Sequence, residues 1–358
     1  MRIKKALFLG TLCTAVSGMS LFAQAGVSYA KSAEKTTEAA SSEEAESEEE
    51  TSEEVTYPIT IEHAFGETVI ESKPERIATI GWENQDTPLA LGVAPVGVSA
   101  ANYGLVTDNN LHLWTDEAFA DLGVEKPVVF DDVDGLDFEQ ISDCNPDVIL
   151  AAYSGMTQED YDTLSEIAPV IPYKEKAWNT SWREQTIENA EGMGMKPEGE
   201  KKVKEVEDLI AEKLEEYPQL EGIPTAFCWI SADDFSTFYV YLPTDPRAAY
   251  LLDLGFTLPE SVQKLAGETD DFNITVSREN ADQLDDIQLM VVYGDEDLLK
   301  SLQEDKLMSQ IPAIKNGAVA LVDSTSALAG ACTPSILSIP YEIDEYLQLL
   351  SDAAENIK

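Results

Sequence analysis

Residues 197–217, PEGEKKVKEVEDLIAEKLEEY, form one continuous helical pattern that separates two stretches of a different kind. Apolar side chains recur at helical spacing at positions 203, 206, 209, 210, 214 and 217, with dense charges between them. Pro197 suits a first helical turn, and Pro218 and Gly222 end the pattern. The sequence therefore predicts one long helix within residues 196–218, apolar on one face and solvated on the other.

The stretches before and after this helix alternate short apolar runs with helical segments. The strand-like runs lie at 59–61, 68–70, 77–81, 95–98, 127–130, 147–151 and 170–173, and then at 225–230, 237–241, 289–293 and 318–322. Such alternation is typical of a mainly parallel sheet with helices on both faces. The predicted fold class is α/β, with two Rossmann-like lobes, residues 57–195 and 219–358, bridged by the single long helix.

Residues 1–30 have the features of a secretory signal peptide. Positive charges at Arg2, Lys4 and Lys5 precede an apolar stretch, and small-x-small cleavage patterns end at Ala25 and Ala30. An uncleaved anchor is the alternative, since about 20 apolar residues can just span a bilayer. Lipidation at Cys13 is a further alternative, although bulky Leu12 stands where a lipobox has a small residue.

Residues 31–56 are rich in Ser, Thr, Glu and Ala, and we expect a disordered acidic spacer there. They hold two lysines against ten glutamates, while residues 1–30 hold three cations and no acid. Taking +3 and −8 from the total of −45 leaves −40 on residues 57–358. A folded part this acidic excludes non-specific nucleic-acid binding and argues against adhesion to anionic membranes. The spacer is either a tether or a solubilising tail.

The cysteines and histidines argue against an enzyme or a direct metal site. Cys144, Cys228 and Cys332 are far apart and have no CxxC spacing, and Cys228 lies in an apolar run. The chain has only two histidines, His63 in a hairpin and His112 in a polar loop, which excludes a three-histidine zinc site. No G-x-S-x-G motif is present. A secreted hydrolase and a surface adhesin remain distant alternatives.

Several segments together resemble the substrate-binding proteins of ABC importers for ferric siderophores. They are KPERI (73–77), LALGVAPVGV (89–98), FEQI (138–141), NPDVIL (145–150), YSG (153–155), LSEIAPV (164–170), WREQ (182–185), LGF (254–256) and VSREN (276–280). Each is weak alone, but their order and spacing cover about residues 57–350. The resemblance implies the class III periplasmic-binding-protein fold, with two α/β lobes joined by one helix.

By this resemblance, one glutamate on the rim of each lobe docks onto the permease. The matching positions are Glu139 and Glu279. Two separated carboxylates that meet two arginine clusters would fix orientation as well as attraction. The plain alternative is a pair of glutamates at helix starts, stabilised by the helix dipole. The implied partners are an ABC permease dimer and its ATPase.

The ligand is expected between the lobes, where loops follow strand ends. A ferric siderophore is a bulky, partly apolar chelate, so its site needs aromatic walls with a few polar or cationic contacts. The candidate binding residues are Trp82, Tyr153, Trp178, Trp182, Arg183, Phe235, Tyr239 and Arg247; Tyr103 and Trp114 are secondary candidates. Ordinary core packing is the alternative for each aromatic residue, and a surface ion pair for each arginine.

The scarcity of arginine bears on the charge of the ligand. After residue 30 the chain has only Arg76, Arg183, Arg247 and Arg278, so a hydroxamate chelate is favoured over a triply anionic catecholate. Cobalamin and haem are the alternative ligands. We expect no resident cofactor, iron bound only as the siderophore chelate, and a monomer. The protein is expected to be exported to the outer face of the cytoplasmic membrane or the periplasm, with a tether as one possibility.

Overall fold

The computed structural model describes residues 55–132 and 135–358. The predicted signal peptide, and the spacer up to residue 54, lie outside these residues. Within the described residues, no helix combines the length and the apolarity needed to span a bilayer.

The first sheet has five parallel strands and follows a short hairpin. The hairpin strands are β1 (Ile59–His63) and β2 (Gly66–Ile70), and the sheet consists of β3 (Ile77–Thr79), β4 (Gly97–Ser99), β5 (Val129–Phe130), β6 (Val148–Ala151) and β7 (Val170–Pro172). The strand order is β5-β4-β3-β6-β7. The predicted edge position of the last strand is confirmed, as Pro172 lacks the N–H that an inner strand would need.

The second sheet contains one strand that the sequence analysis missed. Its strands are β8 (Thr225–Trp229), β9 (Thr237–Tyr241), β10 (Asn273–Ser277), β11 (Leu289–Tyr293) and β12 (Val319–Val322), in the order β10-β9-β8-β11-β12. β9 is antiparallel to both neighbours, and the other pairs are parallel. β10 was missed because it is a half-exposed edge strand without an apolar run.

Twelve α-helices lie in the described part of the chain. They are α1 (Asp86–Ala90), α2 (Leu113–Asp121), α3 (Phe138–Asp143), α4 (Gln158–Ser165), α5 (Trp182–Gly192), α6 (Lys196–Leu214), α7 (Pro246–Asp253), α8 (Glu260–Ala266), α9 (Glu296–Glu304), α10 (Pro312–Asn316), α11 (Ala327–Ala331) and α12 (Ser338–Ala354). Single 3-10 turns cover Pro218–Leu220, Arg278–Gln283 and Met308–Gln310.

The long helix α6 is confirmed, and it follows the first sheet and precedes the second in the chain. Val203, Val206 and Ile210 are buried on the face that the periodicity predicted. Gly199 allows α6 to lie against α5, because a Cβ at this position would come within 2.5 Å of the Ala190 Cβ. A Lys213–Asp344 ion pair of 2.6 Å joins α6 to α12.

Trp182 and Arg183 were expected in a loop between the lobes, but they begin α5. Ser181 and Glu184 form a capping box that starts this helix. Trp182 is buried and donates its indole N–H to Asp253 on α7 over 3.0 Å. Arg183 pairs with Glu207 on α6 at 2.6 Å and with Asp253 at 2.7 Å. These contacts join α5, α6 and α7 behind the strand ends.

A buried carboxylate, Asp86, also joins the two lobes. It accepts hydrogen bonds from the Trp114 indole at 2.9 Å and the Thr115 hydroxyl at 2.8 Å, both on α2. The Ser335 hydroxyl, from the segment before α12, donates to it over 2.5 Å. Asp86 is fully buried, and burial raises its pKa well above the ordinary value. Its donors therefore come from α2 in the first lobe and from the segment before α12 in the second.

The three cysteines of the described residues are free and buried. Cys228 lies within the second sheet, as its apolar run predicted, and Cys332 lies near Tyr346. Burial raises the pKa of all three thiols. Burial and the neutral thiol form both lower reactivity, so these cysteines are inert in the folded protein.

We expect Asp86→Ala to lower the free energy of unfolding by about 3 kcal/mol, because it leaves three buried donors without an acceptor. Asp86→Asn keeps an acceptor oxygen and should cost clearly less. Urea unfolding of both variants measures the difference. An alanine variant as stable as the wild type would contradict the structural role given to Asp86.

Candidate functional site

The carboxyl ends of the parallel strands of the first sheet open into a cleft of about 360 Å³. The residues that line it are Ile80, Gly81, Trp82, Asn102, Asp132, Gly135, Leu136, Ser154, Gly155, Met156, Asp160 and Trp178. They come from the loops after β3, β4, β5, β6 and β7 and, for Asp160, from the first turn of α4. The cleft therefore lies where open α/β sheets hold their ligands.

Three predicted aromatic residues form one cluster in the first lobe. The Trp178 ring lies edge-on to Trp82 at 5.7 Å and to Tyr153 at 5.3 Å between centroids. Trp82 and Trp178 are half-buried, whereas Tyr153 is buried. Gly155 makes this packing possible, since a Cβ there would lie 2.5 Å from the Trp178 Nε1 atom. The two tryptophans thus present rings to the cleft with Tyr153 behind them.

The buried side chain of Asn84 fixes the loops that hold these rings. Its amide nitrogen donates to the carbonyls of Ile80 at 2.7 Å and Tyr153 at 2.9 Å. Its oxygen accepts from the Tyr153 backbone N–H at 3.1 Å and from Asn189 at 3.0 Å. Asn84 therefore holds the ends of β3 and β6 in register without contributing a charge.

The second lobe adds an aromatic face at the matching strand ends. Trp229, the last residue of β8, pairs in register with Tyr239 on β9, and their rings are 5.6 Å apart. Both are exposed, with relative accessibilities of 41% and 39%. Two residues further along β9, Tyr241 packs against Phe227. An exposed aromatic pair at the end of a sheet is suited to contact with a bulky ligand.

Arg247 is the arginine that the structure brings to this region. Its guanidinium lies 4.0 Å from the centre of the Tyr241 ring and forms two hydrogen bonds to Asp245, at 2.8 and 2.6 Å. Burial opposes the charged form, but the bonds and the charge of Asp245 outweigh it and raise the pKa of Arg247. Both side chains are largely buried, so the pair presents little net charge.

Residues at the strand ends of the two lobes also contact each other directly. The Tyr103 ring, from the loop after β4, lies 5.3 Å from Tyr293 at the end of β11. Elsewhere, the Lys176 ammonium lies 3.2 Å from the carboxylate of Asp270, in the loop before β10. Burial raises the pKa of Tyr153, and the charge of Asp245 adds to the shift, so this tyrosine lies within electrostatic reach of the second lobe.

The two predicted docking glutamates lie on equivalent positions of the two lobes. Glu139 is in the first turn of α3, and Glu279 is in the 3-10 turn after β10. β10 runs parallel to β8, so both turns begin at the strand ends that face the cleft. Both carboxylates are exposed, and neither forms an ion pair within residues 55–132 and 135–358. The geometry leaves both free for a partner.

Residues 77–325 match the family described as Periplasmic binding protein. The chain belongs to this family.

PiaA from Streptococcus pneumoniae TIGR4, whose crystal structure was solved in complex with ferrichrome, is 47% identical in sequence to this chain. The structural match covers 84% of this chain and 100% of the PiaA chain, with a TM-score of 0.80. The petrobactin-binding protein YclQ of Bacillus subtilis is 24% identical over 81% of this chain and 88% of its own. The putative ABC transporter substrate-binding lipoprotein YhfQ of Bacillus subtilis is 25% identical over 75% and 81%. The resemblance inferred from the sequence is confirmed, as is the two-lobe α/β fold.

Of the eight predicted ligand residues of this periplasmic binding protein, only Trp82 and Trp178 line the cleft described above. Tyr153 lies behind them, and Tyr239 and Arg247 lie on β9 and α7 of the second lobe. The other three lie elsewhere. Trp182 and Arg183 are committed to the contacts between α5, α6 and α7, because their helix starts at Trp182. Phe235 is half-buried and packs against the core on the face of the second sheet opposite Tyr241. The secondary candidate Trp114 is buried beside Asp86, whereas Tyr103 reaches the contact between the lobes.

The sequence analysis missed Trp229, Tyr293 and Asp132, although one signal pointed to each. All three stand at or just after the carboxyl end of a parallel strand, the position that selected Trp82 and Tyr153 in the first lobe. Trp229 and Tyr293 were passed over because they close apolar runs that are typical of buried strands. Asp132 was not selected because nothing in the sequence distinguishes it from the many other carboxylates of this acidic chain.

A buried Glu83–His112 pair lies beside the cleft of this periplasmic binding protein. The two side chains line a smaller pocket, and Glu83 Oε1 lies 3.1 Å from His112 Nε2. His112 was expected in a polar loop, but it caps α2 and is buried. No group of three or more His, Cys, Asp or Glu able to hold a metal ion is found among residues 55–132 and 135–358.

The His112 pair predicts a pH dependence of stability. Burial lowers the pKa of His112, but the charge and hydrogen bond of Glu83 outweigh it, so the net shift is upward from 6.5. The folded state thus holds the proton more tightly than the unfolded state. The stabilisation is present below the unfolded pKa and is lost as the pH rises through the folded one.

Urea unfolding at about pH 5.5 and about pH 8.5 tests this. Wild type should exceed His112→Gln in stability by more at the lower pH. His63, whose pKa is lowered by burial, is present in both proteins and cancels. The same difference at both pH values would contradict the prediction.

Proposed function

We propose that this protein captures a ferric siderophore between its lobes and delivers it to the permease of an ABC importer. The observation that supports this most is the pair of tryptophans, Trp82 and Trp178, in the wall of a cleft of about 360 Å³. The second sheet adds the exposed aromatic pair Trp229 and Tyr239 at its strand ends. A ferric siderophore is a rigid, partly apolar chelate of a size that such a cleft can surround.

The relatives support the same ligand class. The 47% identical PiaA structure was solved with ferrichrome, and YclQ is named as a petrobactin-binding protein. Ferrichrome is a hydroxamate chelate. Together with the pairing of Arg247 to Asp245, this favours a hydroxamate for the present protein. Cobalamin and haem are the competing ligands that a binding panel separates.

The ligand contacts that we propose differ from the set of residues predicted from the sequence. Trp82, Trp178 and Tyr239 stack on the ligand, with Tyr153 supporting Trp178 and Arg247 offering its remaining N–H groups. Trp229 joins this set. Trp182 and Arg183 act from behind the strand ends, by holding α5 against α7, and Phe235 supports the loop between β8 and β9.

The protein acts as a carrier without catalysis, and iron reaches it only inside the chelate. The family and the relatives are substrate-binding proteins. We propose that the chain is exported, loses a leader within residues 1–30, and works as a monomer at the outer face of the cytoplasmic membrane or in the periplasm. The acidic spacer then serves as a tether if Cys13 is lipidated.

A titration of the purified protein tests ligand capture. We expect ferrichrome to quench tryptophan fluorescence and to saturate at one chelate per chain. Trp82→Ala and Trp178→Ala should each weaken binding by about tenfold or more, because each removes a stacking surface. Tyr217→Ala, on the segment after α6, is the control. Binding of haem or cobalamin with no response to any ferric siderophore would refute the proposed ligand.

Delivery is tested by removing the two rim carboxylates. Glu139→Ala combined with Glu279→Ala should abolish ferric siderophore uptake by cells and leave the chelate affinity of the purified protein unchanged. Glu166→Ala combined with Glu304→Ala removes the same charge at the ends of α4 and α9, away from the cleft. Equal uptake by the two double variants would exclude docking through Glu139 and Glu279.

A further inference from the structure

The first-lobe wall of the cleft contains two carboxylates and no cation. Asp132 and Asp160 are among its lining residues, and no lysine, arginine or histidine of the described chain is. The permease interaction uses neither residue, and nor do the aromatic contacts proposed above. Neither ligand stacking nor docking therefore explains why these two carboxylates line the cleft.

The two carboxylates differ in how their charge is used. Asp160 closes the capping box of α4, where it accepts from the backbone N–H and the hydroxyl of Thr157 at 2.9 and 2.7 Å. Its charge therefore interacts with the N-terminus of α4, where the helix dipole stabilises an anion. Asp132 follows β5 and has no helix terminus to neutralise it.

Asp132 is fixed at the strand ends by a short chain of hydrogen bonds. The Ser99 hydroxyl, at the end of β4, donates to its carboxylate over 2.5 Å. The same hydroxyl accepts from the Gly81 backbone N–H, just after β3, at 3.1 Å. Asp132 is half-buried; burial raises its pKa, and the Ser99 bond partly offsets the shift. The charge is therefore part of the cleft and not a freely moving surface group.

In the second lobe, the charge of the arginine proposed to contact the ligand is already paired. Arg247 is bound to Asp245 through two hydrogen bonds, and the side chains are 16% and 3% exposed. The pair is close to neutral as seen from the cleft. The fixed charge of the first-lobe wall is thus negative, and of its two carboxylates Asp132 is the less compensated.

We infer that Asp132 selects ferric chelates by their charge, favouring neutral or cationic complexes and rejecting anionic ones. This inference rests on the proposed function. A carboxylate held in a partly desolvated cleft repels a negative chelate much more strongly than it would in water. A neutral chelate with hydrogen-bond donors on its rim meets no such repulsion and can donate to the free lone pairs of Asp132.

The experiment compares two chelates on the wild type and on Asp132→Asn. Ferrichrome is the neutral probe, and a ferric tris-catecholate is the anionic one. Both are titrated by tryptophan fluorescence at low salt and about pH 8, where the carboxyl is ionised. The measured quantity is the ratio of the two dissociation constants. We expect Asp132→Asn to shift this ratio about tenfold or more towards the catecholate.

Two further variants separate this role from a general charge effect or a structural one. Asp143→Asn removes the same charge from the far end of α3 and should leave the ratio unchanged. Asp132→Glu keeps the charge and should keep the preference for ferrichrome. If Asp132→Asn does not fold, Asp132→Ser takes its place, since a hydroxyl is also uncharged.

The outcomes distinguish failure of the role given to Asp132 from failure of the proposed siderophore capture. A ratio that Asp132→Asn leaves unchanged, or that Asp143→Asn shifts equally, overturns the role of Asp132 and leaves siderophore capture standing. A wild type that binds neither chelate overturns the proposed function, and the inference falls with it. A shift confined to the uncharged substitutions at position 132 supports the inference.

Discussion

The hydrogen bonds to the buried carboxylate of Asp86 hold the functional part of the molecule together. Its donors come from α2 in the first lobe and from Ser335 in the second. A second set of contacts, through Asp253 with Trp182 and Arg183, joins the lobes along α6. The lobes can separate at these two places only if the Ser335–Asp86 hydrogen bond and the Asp253 contacts break. The walls of the cleft are therefore held in place before any ligand arrives.

A very acidic chain can still present aromatic rings to a ligand. Most carboxylates lie on the outer surface, only Asp132 and Asp160 are among the cleft-lining residues, and Arg247 beside Tyr241 is bound to its own aspartate. The walls are then defined by ring packing and by Asn84, a neutral group that satisfies several buried backbone atoms. Shape and stacking define most of the cleft wall, Asp132 adds a fixed charge to it, and Glu139 and Glu279 place charge at the rim.

The sequence predicted the elements whose pattern is local and missed those that depend on neighbours. The apolar period of α6 and the buried runs of the central strands were sufficient to predict those elements. β10 could not be predicted because an edge strand needs burial on only one face. The start of α5 was predictable in principle, since Ser181 and Glu184 have capping-box spacing, but the nearby tryptophans suggested a binding loop. The partners of Arg183 and Arg247 could not be known, because both depend on which carboxylate the fold brings close.

The three buried thiols have a practical consequence for studying this protein. Because Cys144, Cys228 and Cys332 are inaccessible and free, a single cysteine introduced on the surface would be the preferred target for a maleimide dye among the described residues. Lys176 and Asp270 are partly exposed and lie on opposite lobes. A dye placed beside either of them would report on the separation of the lobes in real time, so the fold is suited to conversion into an optical sensor.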